Sequence, residues 1–200
     1  MEQLIHALSW ISAALQVPVV VAILYLLARG LLAAGGYYGR WSDRLRWRRR
    51  IGVDRDGHLP GADIDALVEG LDGGRGAGRP LQRAVAALRL APTDAAWHER
   101  VITEFELSAD RQLALYRSMT RIGPLLGLMG TLIPLGPALV GLAAGDISLL
   151  ARKMEVAFAT TVVGLVIGAM GFLLHQSASR WALDDLSLLE FLSSKLREKP

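Results

Sequence analysis

The sequence predicts an all-α membrane protein in which three membrane-spanning helices carry long helical extensions. Two observations support this. The 200-residue chain has a mean hydropathy of +0.34, too apolar for an ordinary soluble domain. Its apolar residues also gather in three stretches without Asp, Glu, Lys or Arg, at 7–28, 122–145 and 156–179. A bilayer core of ~30 Å is crossed by ~20 residues of helix, so each stretch is long enough. A buried soluble helix rarely runs so far without a charge.

The first stretch reads as a retained anchor. Signal peptides open on basic residues, whereas Glu2 and His6 precede this run and no Lys or Arg does. Arg40, Arg44, Arg46, Arg48, Arg49 and Arg50 follow it closely. The positive-inside rule then sets the amino terminus outside and the following segment in the cytoplasm. Asp146, Arg152, Lys153 and Glu155 balance one another in the short external link, and Arg180, Lys195, Arg197 and Lys199 return to the cytoplasm. The expected division is an outer segment with the first span (1–36), a cytoplasmic helical region with a glycine-rich linker (37–120) and the second span (121–145). An external link with the third span (146–179) and a cytoplasmic amphipathic helix (180–200) complete it. The sequence pI near 9.6 follows largely from the positive-inside arginines. The Arg48–Arg50 run suits anionic lipid headgroups better than nucleic acid, because it sits just beyond a span. Without cysteine there is no disulfide and no thiolate metal site.

Along the chain, Pro18 invites a kink in the first span and Arg29 can snorkel toward headgroups. Trp10, Tyr25, Tyr37, Tyr38, Trp41 and Trp47 fall near its two ends, where aromatic rings settle at the interface. The 52–80 segment is polar and glycine-rich, with one short helix expected over 62–71. Gly73–Pro80 imitates a phosphate-binding loop, but no strand precedes it and no Lys-Ser/Thr pair follows. Asp54-Arg55-Asp56-Gly57 imitates part of a calcium loop whose other ligands are missing. Both read as turns. Leu81, Val85 and Leu88 then share a helix face that breaks at Pro92, after which Thr93 or Asp94 can cap the next helix. Trp97, Val101 and Phe105, then Leu113, Tyr116 and Met119, continue an apolar stripe without interruption into the second span. One long helix is expected there, with roughly 35 Å of it outside the bilayer. Trp181 to Leu196 is expected to form a last helix, its apolar face carried by Trp181, Leu186, Leu189 and Leu192.

The second and third spans are rich in small residues. Gly123, Gly127, Thr131, Pro134 and Ala138 recur every three or four residues, with Gly130 beside them. Ala157, Thr161, Gly164, Gly168 and Gly171 form a second stripe. Lipid gives helices no hydrophobic reason to associate, so close backbone packing through small residues is the plain reading. The threonines add another. A Thr hydroxyl in a membrane helix ordinarily bonds to a carbonyl one turn back, yet it can also hold water or face a partner's carboxyl. Two stripes facing one axis would make a narrow lumen with hydroxyls from Thr131, Thr161 and the adjacent Thr160. Pro134 and Pro137 are expected to distort the second span.

Gly123-Pro-Leu-Leu-Gly-Leu-Met-Gly-Thr131, followed by Ala157-Phe-Ala-Thr-Thr-Val-Val-Gly-Leu165, resembles the MotA/TolQ/ExbB proton channel family. The resemblance covers roughly 121–179. Three spans with a cytoplasmic insert after the first look like the TolQ/ExbB branch, since MotA-type proteins have four. The resemblance implies a homopentameric ring in the cell inner membrane, its inside lined by the second and third spans. It also implies an ExbD/TolR-like partner with a single span in that lumen, whose essential aspartate carries protons and couples the proton motive force to mechanical work. Matching motif to motif makes Thr131 and Thr161 pore-lining hydroxyls. No enzyme activity and no cofactor are implied.

The chain departs from the family in two places. Pro134 and Pro137 are atypical of the branch. Many relatives carry a glutamate five residues before the span-three threonine, where this chain has Val156. Glu155, one residue earlier and beside Lys153, is assigned instead as an interface charge. Proton relays within membranes ordinarily need an ionisable group. None lies mid-membrane here, and His175 is too near the cytoplasmic end to serve alone, so the titrating group must come from another chain. The alternatives are a non-conducting membrane scaffold and a secondary transporter, the latter disfavoured by the lack of inverted repeats. The residues do not choose between protons and sodium.

Overall fold

The computed structural model describes residues 2–51 and 78–198. They form four helices: α1 (Glu2–Ile51), α2 (Arg79–Leu90), α3 (Ala95–Ala143) and α4 (Ile147–Glu198). Ala14–Ser42 of α1, and α3 and α4, are each long and apolar enough to cross a membrane. The protein is a multi-pass membrane protein of the all-α class. The helix expected over 62–71 and the turn at Asp54–Gly57 lie outside the described residues, as do the side chains of Arg48–Arg50.

The long helices are continuous where local sequence allows breaks. α3 runs through Pro124, Pro134 and Pro137, and α1 through Pro18. A proline has no N–H to offer the carbonyl four residues earlier, so Thr120, Gly130 and Ile133 lose that donor. Neighbouring helices can re-satisfy such groups within a membrane. The expected distortion at Pro134 and Pro137 therefore does not interrupt the helix, and Pro134 is fully buried. The expected separate helix after Trp181 is likewise the final part of α4, with no break near Arg180.

The helix ends are set by identifiable caps. Pro92 cannot continue α2, and Asp94 rather than Thr93 starts α3. Its Oδ1 accepts the Ala96 and Trp97 N–H groups at 3.0 and 3.1 Å. α3 ends at Gly145, whose φ of +80° is open to glycine at little cost. Gly145 N–H donates to the Leu142 carbonyl at 3.0 Å and Asp146 N–H to the Gly141 carbonyl at 2.9 Å, a Schellman arrangement. Asp146 also begins α4, accepting from Leu149 N–H at 2.9 Å and from the Ser148 hydroxyl at 2.8 Å. One residue thus closes one helix and opens the next, which makes the hairpin tight.

The chain divides into two compact units: Met1–Ala34 with Leu115–His175, and Gly35–Ala114 with Gln176–Pro200. The second unit packs like a soluble core. Leu81, Val85 and Leu88 of α2 meet Val101 and Phe105 of α3 and Leu189 and Leu192 of α4, all buried. The α3 stripe runs through His98, Val101 and Phe105, one residue off the expected Trp97 start. Trp97 stays partly exposed and donates its indole N–H to the Ala87 carbonyl at 2.7 Å. His98 is 1% exposed, with Nε2 3.2 Å from the Leu88 carbonyl and Nδ1 2.9 Å from Ser193 Oγ. A carbonyl only accepts, so Nε2 carries a proton, and in the neutral ring Nδ1 accepts from the Ser193 hydroxyl.

Within this unit Arg44 of α1 is bound to the end of α4. Its guanidinium donates to both carboxylate oxygens of Asp185, at 3.0 and 2.7 Å, and to the Trp181 carbonyl at 3.3 Å. It also sits 5.4 Å from the centroid of the Trp181 ring, on which Tyr37 stacks at 4.5 Å. The two charged side chains are 11% and 14% exposed, so removing one strands the other. Asp185→Ala should therefore lower stability by about 3–5 kcal/mol, and Arg44→Met with Asp185→Leu by clearly less. Thermal unfolding of the detergent-solubilised protein checks this, and equal losses would contradict it.

The Asp146 carboxyl lies below its ordinary 3.8, held there first by the Leu149 N–H and then by the Ser148 hydroxyl, with Arg152 adding to both. A lowered value means the folded protein releases the proton more readily than the unfolded chain. The contribution is then full above the unfolded value of about 3.9 and lost as pH falls through the still lower folded one. The stability difference between wild type and Asp146→Ala should hold constant from about pH 8 to about pH 5 and shrink only below about pH 4. Shrinkage already near neutrality, read by thermal unfolding, would contradict the assignment.

Candidate functional site

The first unit is built on the antiparallel hairpin of α3 and α4, and its seam consists of glycines. A Cβ built on Gly164 would stand 2.7 Å from both the Gly123 carbonyl oxygen and the Gly127 Cα. On Gly123 it would meet the Gly164 carbonyl and the Gly168 nitrogen, each at 2.9 Å. Gly168 receives the Pro124 ring, and Gly171 lies against the backbone of Thr120 and Tyr116. Gly130 faces Thr160, and Gly141 receives Leu149. At Gly123, Gly127, Gly164 and Gly171 the two helices touch backbone to backbone, a closeness that residues without side chains permit.

Within the chain the two small-residue stripes meet each other, through Gly123, Gly127 and Gly130 on α3 and Gly164, Gly168 and Gly171 on α4.

The three threonines occupy different places. Thr160 is buried in the seam against Gly130, its hydroxyl bonded to the carbonyls of Val156 and Ala157 at 3.0 and 2.9 Å. Thr161 is half-buried at the edge of the seam. Its hydroxyl lies 3.1 Å from the Ala157 carbonyl on its own helix and 3.4 Å from the Gly127 carbonyl across it. Thr131, also half-buried, donates to the Leu128 carbonyl at 2.7 Å. Each hydroxyl has one hydrogen to give and keeps lone pairs that can still accept. Thr131 and Thr161 thus retain an accepting side that is not fully enclosed, whereas Thr160 is enclosed. Glu155 is exposed, one turn after Arg152.

α1 closes the unit from another side. Val19 and Ile23 pack with Met119 of α3 and Ile167 of α4. Gly30 takes the methyl groups of Met119 and Met170, which a Cβ there would meet at 2.6 and 2.7 Å. Neither Gly30 nor Gly141 stood out in the sequence, because an isolated glycine in an apolar run carries no spacing signal. Leu128, Leu132 and Leu139 of α3 and Phe158, Val162 and Leu165 of α4 are exposed. Large apolar residues outside and glycines inside is the pattern of helices solvated by lipid or by further subunits.

Chemically, the hairpin offers hydroxyls and carbonyls but no acid or base across 122–145. Over 156–179 its only ionisable group is His175. Among the described residues no cluster of His, Cys, Asp or Glu could hold a metal ion. Such a wall can solvate a proton carrier but cannot itself provide one at mid-membrane.

The seam makes a sharp stability prediction. Gly164→Ala should cost about 1–3 kcal/mol, because backbone atoms stand where its methyl would go. Gly136→Ala meets nothing within 4 Å and should be neutral or gain up to ~1 kcal/mol from helix propensity. Thermal unfolding in detergent checks the pair, and equal effects would contradict the packing.

The family model described as the MotA/TolQ/ExbB proton channel family matches residues 81–190, more than half of the chain. No curated protein matches the sequence.

Proposed function

We propose that this chain, which belongs to the MotA/TolQ/ExbB proton channel family, is a proton-conducting stator subunit of the three-span TolQ/ExbB-like kind. Membership implies a channel or stator role in general, and channels of this family are not enzymes. The finer reading is a homopentamer in the inner membrane around a single-span, ExbD/TolR-like partner. A membrane aspartate of that partner takes up and releases the conducted proton, and the cycle does mechanical work.

One observation carries the reading: a family that moves protons is represented here by a chain with no carboxylate anywhere in its second and third spans. The mid-membrane titrating group must then come from outside the chain. Thr131 and Thr161 are the hydroxyls left partly open beside the seam, and they fit as acceptors toward that carboxyl or toward the water around it. Thr160 fits as a packing residue that fixes the hairpin, and Glu155 as an exposed charge at an interface.

The test uses the complex purified from native membranes through an affinity tag on this chain and reconstituted into liposomes. Thr131→Val and Thr161→Val keep the side-chain shape and remove the hydroxyl. Each should lower proton flux by about tenfold or more, on the scale of a lost transition-state hydrogen bond. Native mass spectrometry should still give five copies. Wild-type complexes tight to protons in every energised state, or a dimer as the only assembly, would overturn the reading.

A further inference from the structure

His175 is the one ionisable side chain in residues 156–179. Its Nε2 is buried and has no hydrogen-bond partner among the described residues. A buried imidazole nitrogen left this way is either an N–H without an acceptor or a lone pair without a donor, and either is costly. A leucine or methionine would fill the position without that cost. Unpaired buried polar groups in native proteins call for a functional explanation, and ionisable groups within membrane helices do so more strongly.

The position of His175 on α4 indicates what it does. Thr161, Gly164, Gly168, Gly171 and His175 follow one another at spacings of three and four, so they lie on one face of the helix. Thr161 and His175 are separated by roughly 21 Å along the axis. His175 is therefore near the end of the span opposite the external link, on the helix face that carries the seam glycines, with Thr161 at the edge of the same seam.

The surrounding charges are compatible with a transient proton there. In this unit α3 carries Tyr116, which is buried, and Arg117 and Arg121, which are exposed. α1 carries Tyr25 and Arg29, hydrogen-bonded to each other at 3.0 Å. Within this unit the described carboxylates are Asp146 and Glu155, at the other end of the hairpin with Arg152 and Lys153. Glu155 is roughly 30 Å away along α4. Among the described residues of this unit, no carboxylate stands at that end to hold an imidazolium formed at His175.

We infer that His175 is a proton-relay residue at the cytoplasmic end of the pathway, which rests on the channel reading above. With the hydrogen on Nδ1, the Nε2 lone pair accepts a proton from water leaving the partner's carboxyl. An O–H bond breaks and an N–H bond forms. The imidazolium then gives the same proton to cytoplasmic water and returns to neutral, with no net change in the residue.

The test is proton flux through the same purified, reconstituted complex, comparing wild type, His175→Gln and His175→Ala. Glutamine retains hydrogen-bonding capacity but cannot titrate, so His175→Gln should conduct about tenfold less or lower still. His175→Ala should be similarly slow, and millimolar imidazole on the cytoplasmic face should restore much of its flux, as a purely structural role would not allow. Wild-type-like flux in His175→Gln would overturn the relay while leaving the channel reading standing. Loss of flux in His175→Ala that imidazole does not restore, with assembly intact by native mass spectrometry, would also overturn it. A wild-type complex tight to protons would overturn both.

Discussion

Two helices in lipid have no hydrophobic reason to stay together, and the hairpin of α3 and α4 answers that with direct backbone contact. Gly123 and Gly127 meet Gly164 and Gly168 at distances where a single methyl would collide. Much else in the unit follows. Thr160 is enclosed because it faces Gly130, and Thr161 reaches the Gly127 carbonyl because the backbones are so close. The bulky residues are turned outward, since the seam has no room for them. The Asp146 turn, serving both helices, keeps the register in which these pairs coincide.

The second unit is stabilised by different physics. Its core of Leu81, Leu88, Phe105, Leu189 and Leu192 is the ordinary product of apolar burial from water. Around it lie buried polar contacts, the His98–Ser193 pair and the Arg44–Asp185 bridge stacked on Trp181. Both nitrogens of the His98 ring and both carboxylate oxygens of Asp185 have partners, which offsets the cost of burying them. The same α4 sequence thus supplies a glycine face in one unit and a leucine face in the other, with no loop or break between them.

Much of this is legible in the sequence. The three apolar runs, the Leu81–Val85–Leu88 face, and the leucines of the tail all follow from length and period. The glycine stripes were legible as packing surfaces, but not what each would face. Periodicity gives the face of one helix and leaves open whether its neighbour is in the same chain or another. Periodicity also leaves Thr160 and Thr161 side by side, although one residue of helix turns their side chains about 100° apart. Asp94 and Thr93 were equal candidates until the hydrogen bonds chose. Arg44–Asp185 is invisible to local reading, because the partners are far apart in the chain and each looks like an ordinary surface charge. α3 runs unbroken through Pro134 and Pro137, since a helix held on several sides can lose a backbone donor and continue.

The central claim is a division of labour: this chain provides the wall, and another chain provides the mid-membrane titrating group. The most direct test compares two sets of liposomes under the same imposed proton gradient, one with this chain alone and one with the complex purified from native membranes. The account predicts that the chain alone stays tight and the complex conducts. Equal conduction by the chain alone would contradict it, because 122–145 and 156–174 contain no ionisable side chain that could carry the proton mid-membrane.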